Sequence, residues 1–213
     1  MNDPTAPLAD ELVRRAAGLA PDRRAMLGIV GEPGAGKSTL AEALRAGLVS
    51  RGIPTALVGM DAFHLANSAL EDNGLVEVKG APETFDVDGY LALLRRLRAP
   101  TDRVIWAPEF RREIEDAVAA AVPVRPEVRI VITEGNYLLL DGPWRGVRDM
   151  LDECWFVTVP TELRQHRLAA RHQFYGRSEA MAWQRTLGSD ERNARTVAAT
   201  QHLADLVIPL GAS

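Results

Sequence analysis

Gly31-Glu32-Pro33-Gly34-Ala35-Gly36-Lys37-Ser38 fits G-x-x-x-x-G-K-[ST], follows the apolar run Met26 to Val30 and opens a stretch of helical periodicity. The pattern is that of a phosphate-binding loop, and its setting between a strand and a helix separates it from a chance match. Glycines let backbone N–H groups turn toward phosphate oxygens without Cβ clashes, and the next helix presents its positive N-terminus to the same anion. Lys37 then reaches the β- and γ-phosphates, while the Ser38 hydroxyl is placed to ligate Mg²⁺. Residues Gly31 through Ser38, with Thr39, are therefore the expected nucleotide contacts, and ATP with Mg²⁺ the expected cofactors.

Outward from the loop, Leu40, Ala43, Leu44 and Leu48 recur at helical spacing to about Arg51, where Gly52-Ile53-Pro54 breaks the helix before a strand at Thr55 to Met60. Upstream lie a strand at about Ala25 to Val30 and an amphipathic helix over about 8–20 on Leu8, Leu12 and Leu19, ended by Pro21-Asp22. Downstream, a loop of little periodicity runs over about 66–85. Val87, Tyr90, Leu91, Leu94 and Leu97 then mark a helix capped by Asp86. A short strand at Arg103 to Trp106 and a mixed segment near 109–125 follow. Val128 to Thr133 and Cys154 to Val159 read as strands buried on both faces. Helical patterns over about 161–173 and 178–202 and a strand at Leu206 to Pro209 complete the chain. Strands alternating with helices predict an α/β fold, a five-stranded parallel sheet with helices on both faces, in one domain over 1–213.

The bulk composition excludes several classes. With 46% hydrophobic and 25% charged residues the chain is ordinary for a globular protein, and no apolar run nears the roughly 20 residues of a membrane span. A net charge of −4 supplies no overall field for nucleic acid. Met1-Asn2-Asp3-Pro4 carries no basic region ahead of an apolar segment, and Cys154 has no partner for an intramolecular disulfide, so the expected compartment is the cytoplasm. His166, His172 and His202 form no zinc-ligand spacing with Cys154. The expected partner is a small hydroxyl-bearing molecule, and the expected state a monomer or homodimer.

Two carboxylates stand at strand ends. Asp61 closes the second strand, and the carboxyl ends of parallel strands line the ligand crevice, so it should face the γ-phosphate as a base or a water-mediated metal ligand. The alternative is a turn-forming aspartate. Glu134 ends Val131-Ile132-Thr133-Glu134-Gly135, where an acid would hold the metal's water shell, or would simply terminate the strand. Ser38, Asp61 and Glu134 are the candidate metal ligands. Arg164, Arg167 and Arg171 share one helical face, and with Arg177 they suggest a lid over about 161–177 that neutralises charge on the transferred group. A solvated arginine face is the plainer reading, and a nucleic-acid patch a weaker one. The loop Lys79-Gly80-Ala81-Pro82-Glu83-Thr84-Phe85-Asp86, and His64 and Asn67 just past the base, are candidates for acceptor contact or for capping.

Taken together, these motifs resemble the uridine kinase, phosphoribulokinase and type I pantothenate kinase superfamily of P-loop kinases, over nearly the whole length. Asp61-Ala62-Phe63-His64 and Lys79-Gly80-Ala81-Pro82-Glu83-Thr84 are similar to the Asp-Gly-Phe and Lys-Gly-x-Pro-Glu-Ser motifs of pantothenate kinases, and Glu134-Gly135 to a strand end found across the superfamily. The chain is shorter than a type I pantothenate kinase. Pro108-Glu109-Phe110-Arg111-Arg112-Glu113 stands where uridine kinases carry Tyr-Asp-Phe. Compact bacterial proteins named nucleoside/nucleotide kinase-like or fructose-transport-system kinase are the best likeness.

The resemblance implies transfer of a phosphoryl group from ATP to a hydroxyl of a nucleoside, pantothenate-like or sugar acceptor. Asp61 would be the base, and Lys37 and Arg171 would stabilise the transferred group. Arg167 and Arg171 would touch the nucleotide, and Asp61, Phe63, His64, Asn67, Lys79, Arg112, Glu134, Tyr137 and Asn193 the acceptor. A GTPase would need Asn-Lys-x-Asp, which is absent, and an ABC ATPase a Leu-Ser-Gly-Gly-Gln signature, also absent. An ATP-hydrolysing regulatory protein and a kinase of phosphorylated substrates, with an anion site at Arg111, Arg112 or Lys79, are the remaining alternatives.

Overall fold

The computed structural model describes residues 6–19 and 22–211, with side chains from residue 9. The side chain of Leu8 and the end of the first helical pattern at Ala20 and Pro21 lie outside the described residues. Helix α1 (Ala6–Ala17) precedes strand β1 (Ala25–Gly31), which is buried along its whole length. Helix α2 (Lys37–Ser50) follows the phosphate loop, and β2 (Thr55–Gly59) follows the Gly52 break. A tight turn at Met60–Phe63 follows β2, and the stretch expected as an irregular loop over about 66–85 holds the short helix α3 (Asn67–Asp72) and two further single turns. Asp86 caps α4 (Val87–Arg98) by accepting from the Gly89 N–H at 2.9 Å.

Strands β3 (Ile105–Arg111) and β4 (Asp116–Val124) form an antiparallel hairpin separate from the main sheet. This corrects the reading of a short strand at 103–106 followed by a mixed segment. The hairpin is half-exposed, shifts register between Ala107 and Glu109, and carries Ala120 at φ 54°, so its period of two is broken. Then come β5 (Ile130–Gly135), α5 (Arg145–Arg148), β6 (Glu153–Thr158), α6 (Thr161–Phe174), α7 (Glu179–Arg185), α8 (Glu191–Ala198) and β7 (Leu206–Pro209). The helix expected over 178–202 is divided by a wide π-type turn at Thr186–Asp190.

The main sheet is parallel throughout, in the order β2-β5-β1-β6-β7. Alternate residues of each strand serve opposite faces. Leu27, Ile29, Ile132, Trp155 and Val157 pack with Leu12, Leu44 and Leu48 of α1 and α2, while Met26, Val30, Val131 and Phe156 pack with Tyr90, Leu94 and Leu97 of α4. Burial on both faces is why these strands lack polar alternation. No helix among the described residues is long and apolar enough to cross a membrane.

Candidate active site

Because the five strands run in parallel, their carboxyl ends meet at one edge, where an open α/β sheet binds its ligand. The phosphate loop leaves β1 there, Asp61 lies in the turn after β2, and Glu134 is the penultimate residue of β5. Register places Gly59 beside Glu134 and Val30 beside Gly135. A Cβ at Gly135 would lie 2.5 Å from the Cβ of Met60, so only glycine lets the Asp61 turn rest against the end of β5.

In the loop, Gly34 has φ 82°, and a Cβ there would also come within 2.9 Å of the Arg164 carbonyl oxygen. Lys37 Nζ donates to the Glu32 carbonyl at 3.1 Å, and Ser38 Oγ donates to Glu134 Oε1 at 3.0 Å. Burial pushes the Lys37 ammonium below its ordinary value, opposed by the charges of Glu134 and Asp61. Burial and then the negative charge of Asp61 raise the Glu134 carboxyl. These oxygen donors are of the kind Mg²⁺ takes, and the glycine cradle leaves room for phosphate oxygens, so the residues fit both groups.

Two clefts meet at this edge. One, of about 510 Å³, is lined by Gly34, Gly36, Lys37, Ser38, Thr39, Arg167 and Arg171, with Phe174 and Tyr175. The other, of about 370 Å³, is lined by Pro33, Asp61, His64, Asn67, Lys79, Phe110 and Asn193 among others. Arg112 and Arg171 line both. Arg112 reaches in from the β3–β4 turn and sets Nη2 3.1 Å from Asp61 Oδ2. Among the described residues the Arg171 guanidinium makes no hydrogen bond or ion pair, and burial followed by the charge of Arg112 pushes it below its ordinary value. Arginine stays protonated even so, which leaves a buried cation between the two clefts, answered only at a distance by the charges of Asp190, Asp61 and Glu115.

The second cleft is held open by a polar frame. Lys79 Nζ donates to Asn67 Oδ1 and to the Glu115 carbonyl, both at 2.7 Å. His64 Nδ1 lies 2.8 Å from the Asp61 carbonyl, and its ring packs on Phe85 with centroids 4.0 Å apart. Burial lowers the His64 pKa, and because a carbonyl oxygen only accepts, the ring donates through Nδ1. The Gly80 carbonyl accepts from Tyr137 Oη at 2.6 Å and Asn193 Nδ2 at 3.1 Å.

Several expected residues stand elsewhere. Phe63 packs on Tyr90, centroids 5.1 Å apart, and lines neither cleft. Tyr137 is buried and acts on the Gly80 backbone, while Glu134 faces Ser38 on the phosphate-loop side. Gly31 and Ala35 are buried and shape the loop. The Glu32 carboxylate turns to Arg164, 3.4 Å away. Arg164, only 1% exposed, binds Glu191 on its other side and leaves the arginine face of α6 to Arg167 and Arg171. Residues the sequence reading missed are Phe110, Glu115, Asn136, Arg185 and Asp190, all lining the second cleft. For Phe110 the available signal was its place beside Arg111-Arg112. The others depend on tertiary approach alone.

Several known proteins resemble the chain, over different extents. A family model described as methylmalonyl-CoA mutase-associated GTPase MeaB matches residues 3–67, a stretch holding the phosphate loop and Asp61 but less than half the chain. A uridine kinase-like protein of Schizosaccharomyces pombe is 34% identical over 209 residues, covering 93% of this chain and 89% of its own. The crystal structure of a protein from Silicibacter sp. TM1040, named for a fructose transport system kinase, superposes with a TM-score of 0.87 at 38% identity. It covers 94% of this chain and 98% of that one. A pantothenate kinase of Mycolicibacterium vanbaalenii is 31% identical over 67% of this chain, which spans 46% of that protein.

Proposed function

Since the chain belongs to the uridine kinase and pantothenate kinase superfamily of P-loop kinases, we propose that it transfers the γ-phosphoryl group of ATP to a hydroxyl of a small molecule. The observation that carries this reading is the meeting of the two clefts at Asp61, Arg112 and Arg171. A nucleotide held by the phosphate loop, Thr39 and Arg167 presents its terminal phosphate there, and an acceptor in the second cleft presents its hydroxyl. Ser38, Asp61 and Glu134 would hold Mg²⁺, which would supply positive charge to neutralise the phosphates.

Asp61 orients the acceptor hydroxyl and takes its proton as the oxygen attacks the terminal phosphorus and ADP leaves. Arg171 and Lys37 face the transferred group and stabilise the charge that spreads over its oxygens. Arg112 holds the Asp61 carboxylate in place. His64, Asn67, Lys79 and Asn193 line the acceptor side and set its shape.

The test is ADP release from Mg·ATP with and without a panel of nucleosides, pantothenate, ketoses, pentoses and polyols, extended to phosphorylated and carboxylated members. Release that depends on one acceptor supports a metabolite kinase. Slow release that no acceptor changes would support the ATP-hydrolysing alternative.

A further inference from the structure

The second cleft holds more positive charge than its own acids answer. Asp61 is engaged by Arg112 at 3.1 Å and Asp190 by His172 at 2.7 Å. Arg185 spends its donors on the carbonyls of Glu77, at 3.2 Å, and Lys79, at 2.5 Å. Lys79 binds an amide oxygen and a carbonyl, and the Arg177 guanidinium forms no hydrogen bond or ion pair among the described residues. Among the described residues that line the cleft, the five cations Lys79, Arg112, Arg171, Arg177 and Arg185 face the three carboxylates Asp61, Glu115 and Asp190.

Lys79 is the best-positioned of them. An ammonium carries three N–H donors. Two are fixed on Asn67 and Glu115, and the Phe110 ring lies 5.8 Å from the nitrogen, so one donor remains for a ligand. The Arg112 guanidinium lies 5.6 Å from the same ring. The sum of those two distances bounds the gap between the cations, and Arg112 touches Asp61. A small molecule can therefore span from Lys79 to the base.

We infer that the acceptor carries, besides its hydroxyl, an anionic group, a carboxylate or a phosphate, bound at Lys79. The inference rests on the kinase reading above and adds the charge class of the substrate. An anion at Lys79 also lies in the field of Arg177 and Arg185, which line the same cleft. A neutral nucleoside or polyol leaves these cations unanswered, and the cleft discriminates against it for that reason.

The experiment fills the phosphate loop with Mg²⁺ and a non-hydrolysable ATP analogue, then titrates inorganic phosphate and acetate separately into the ¹⁵N-labelled chain. The Gly80 amide resonance reports occupancy. At least one anion is expected to give a saturable shift, weakened at least tenfold by Lys79→Ala and retained within a few-fold by Lys79→Arg. The analogue should still raise the thermal midpoint of both variants, which shows them folded. The tighter of the two anions identifies phosphate or carboxylate as the group. No saturable shift from either anion, or a shift that Lys79→Ala leaves intact, overturns the inference. Neither of those results touches the kinase reading, which stands or falls on acceptor-dependent ADP release.

Discussion

Arg112 Nη2 lies 3.1 Å from Asp61 Oδ2, tying the tip of the β3–β4 hairpin to the turn after β2. Both side chains are about a third exposed, at 36% and 29%, and such pairs add at most about 1 kcal/mol to stability. The pair therefore matters for the site more than for the fold. Arg112→Ala is expected to lower acceptor-dependent kcat about a hundredfold. Its thermal midpoint should move by no more than about 4 °C. Full turnover with a large midpoint loss would make the pair a structural tie.

Arg164 behaves in the opposite way. Its guanidinium is enclosed between Glu32 of the phosphate loop and Glu191 of α8, at 3.4 and 2.5 Å. Removing one partner of a buried pair leaves the other charge uncompensated, so Arg164→Met should cost about 3–5 kcal/mol in urea unfolding. Glu191→Gln on top of it should restore part of the loss. A cost below about 1 kcal/mol would contradict this placement.

Much of this site was legible because strand ends are legible. The phosphate loop, Asp61 and Glu134 each follow an apolar run, and parallel strands leave no choice about which edge they reach. Arg112 was harder, since the hairpin that carries it is half-exposed and broken in register. Arg164 was placed on a shared face with Arg167 and Arg171 by spacing alone. Helical spacing cannot know that Glu32 and Glu191 converge on one of the three. Phe63, in a motif of the superfamily, and Tyr137, expected at the acceptor, serve packing and backbone support, which depends on Tyr90 and Gly80 standing beside them.

Tyr137→Phe deletes the 2.6 Å hydrogen bond to the Gly80 carbonyl while Asn193 keeps its own at 3.1 Å. A loss of about 1–2 kcal/mol in stability is expected. Lys79 is adjacent, so the acceptor KM should rise several-fold while nucleotide affinity holds. Loss of nucleotide affinity instead would mean that the tyrosine supports the phosphate loop.

Asp152 gives a pH signature. Burial alone would push its carboxyl up, but the Arg23 hydrogen bond, the Met26 N–H at 2.8 Å and the charges of Arg98 and Arg23 hold it below the ordinary range. A depressed folded pKa contributes stability above the unfolded value and loses it as pH falls through the folded one. Asp152→Asn should therefore cost about 2 kcal/mol at pH 7. That gap should close as pH falls below the ordinary carboxylate value, as followed by urea midpoints. A gap that is constant with pH would assign the loss to packing.

The most direct test is Asp61→Asn, measured by single-turnover phosphoryl transfer beside titration with Mg²⁺ and a non-hydrolysable ATP analogue. The substitution keeps the shape of the side chain and removes its capacity to take a proton. Transfer to the acceptor is expected to fall about a thousandfold, with the analogue Kd changed by less than about threefold, a difference under about 1 kcal/mol. Near-normal transfer by the variant would show that Asp61 is not the base.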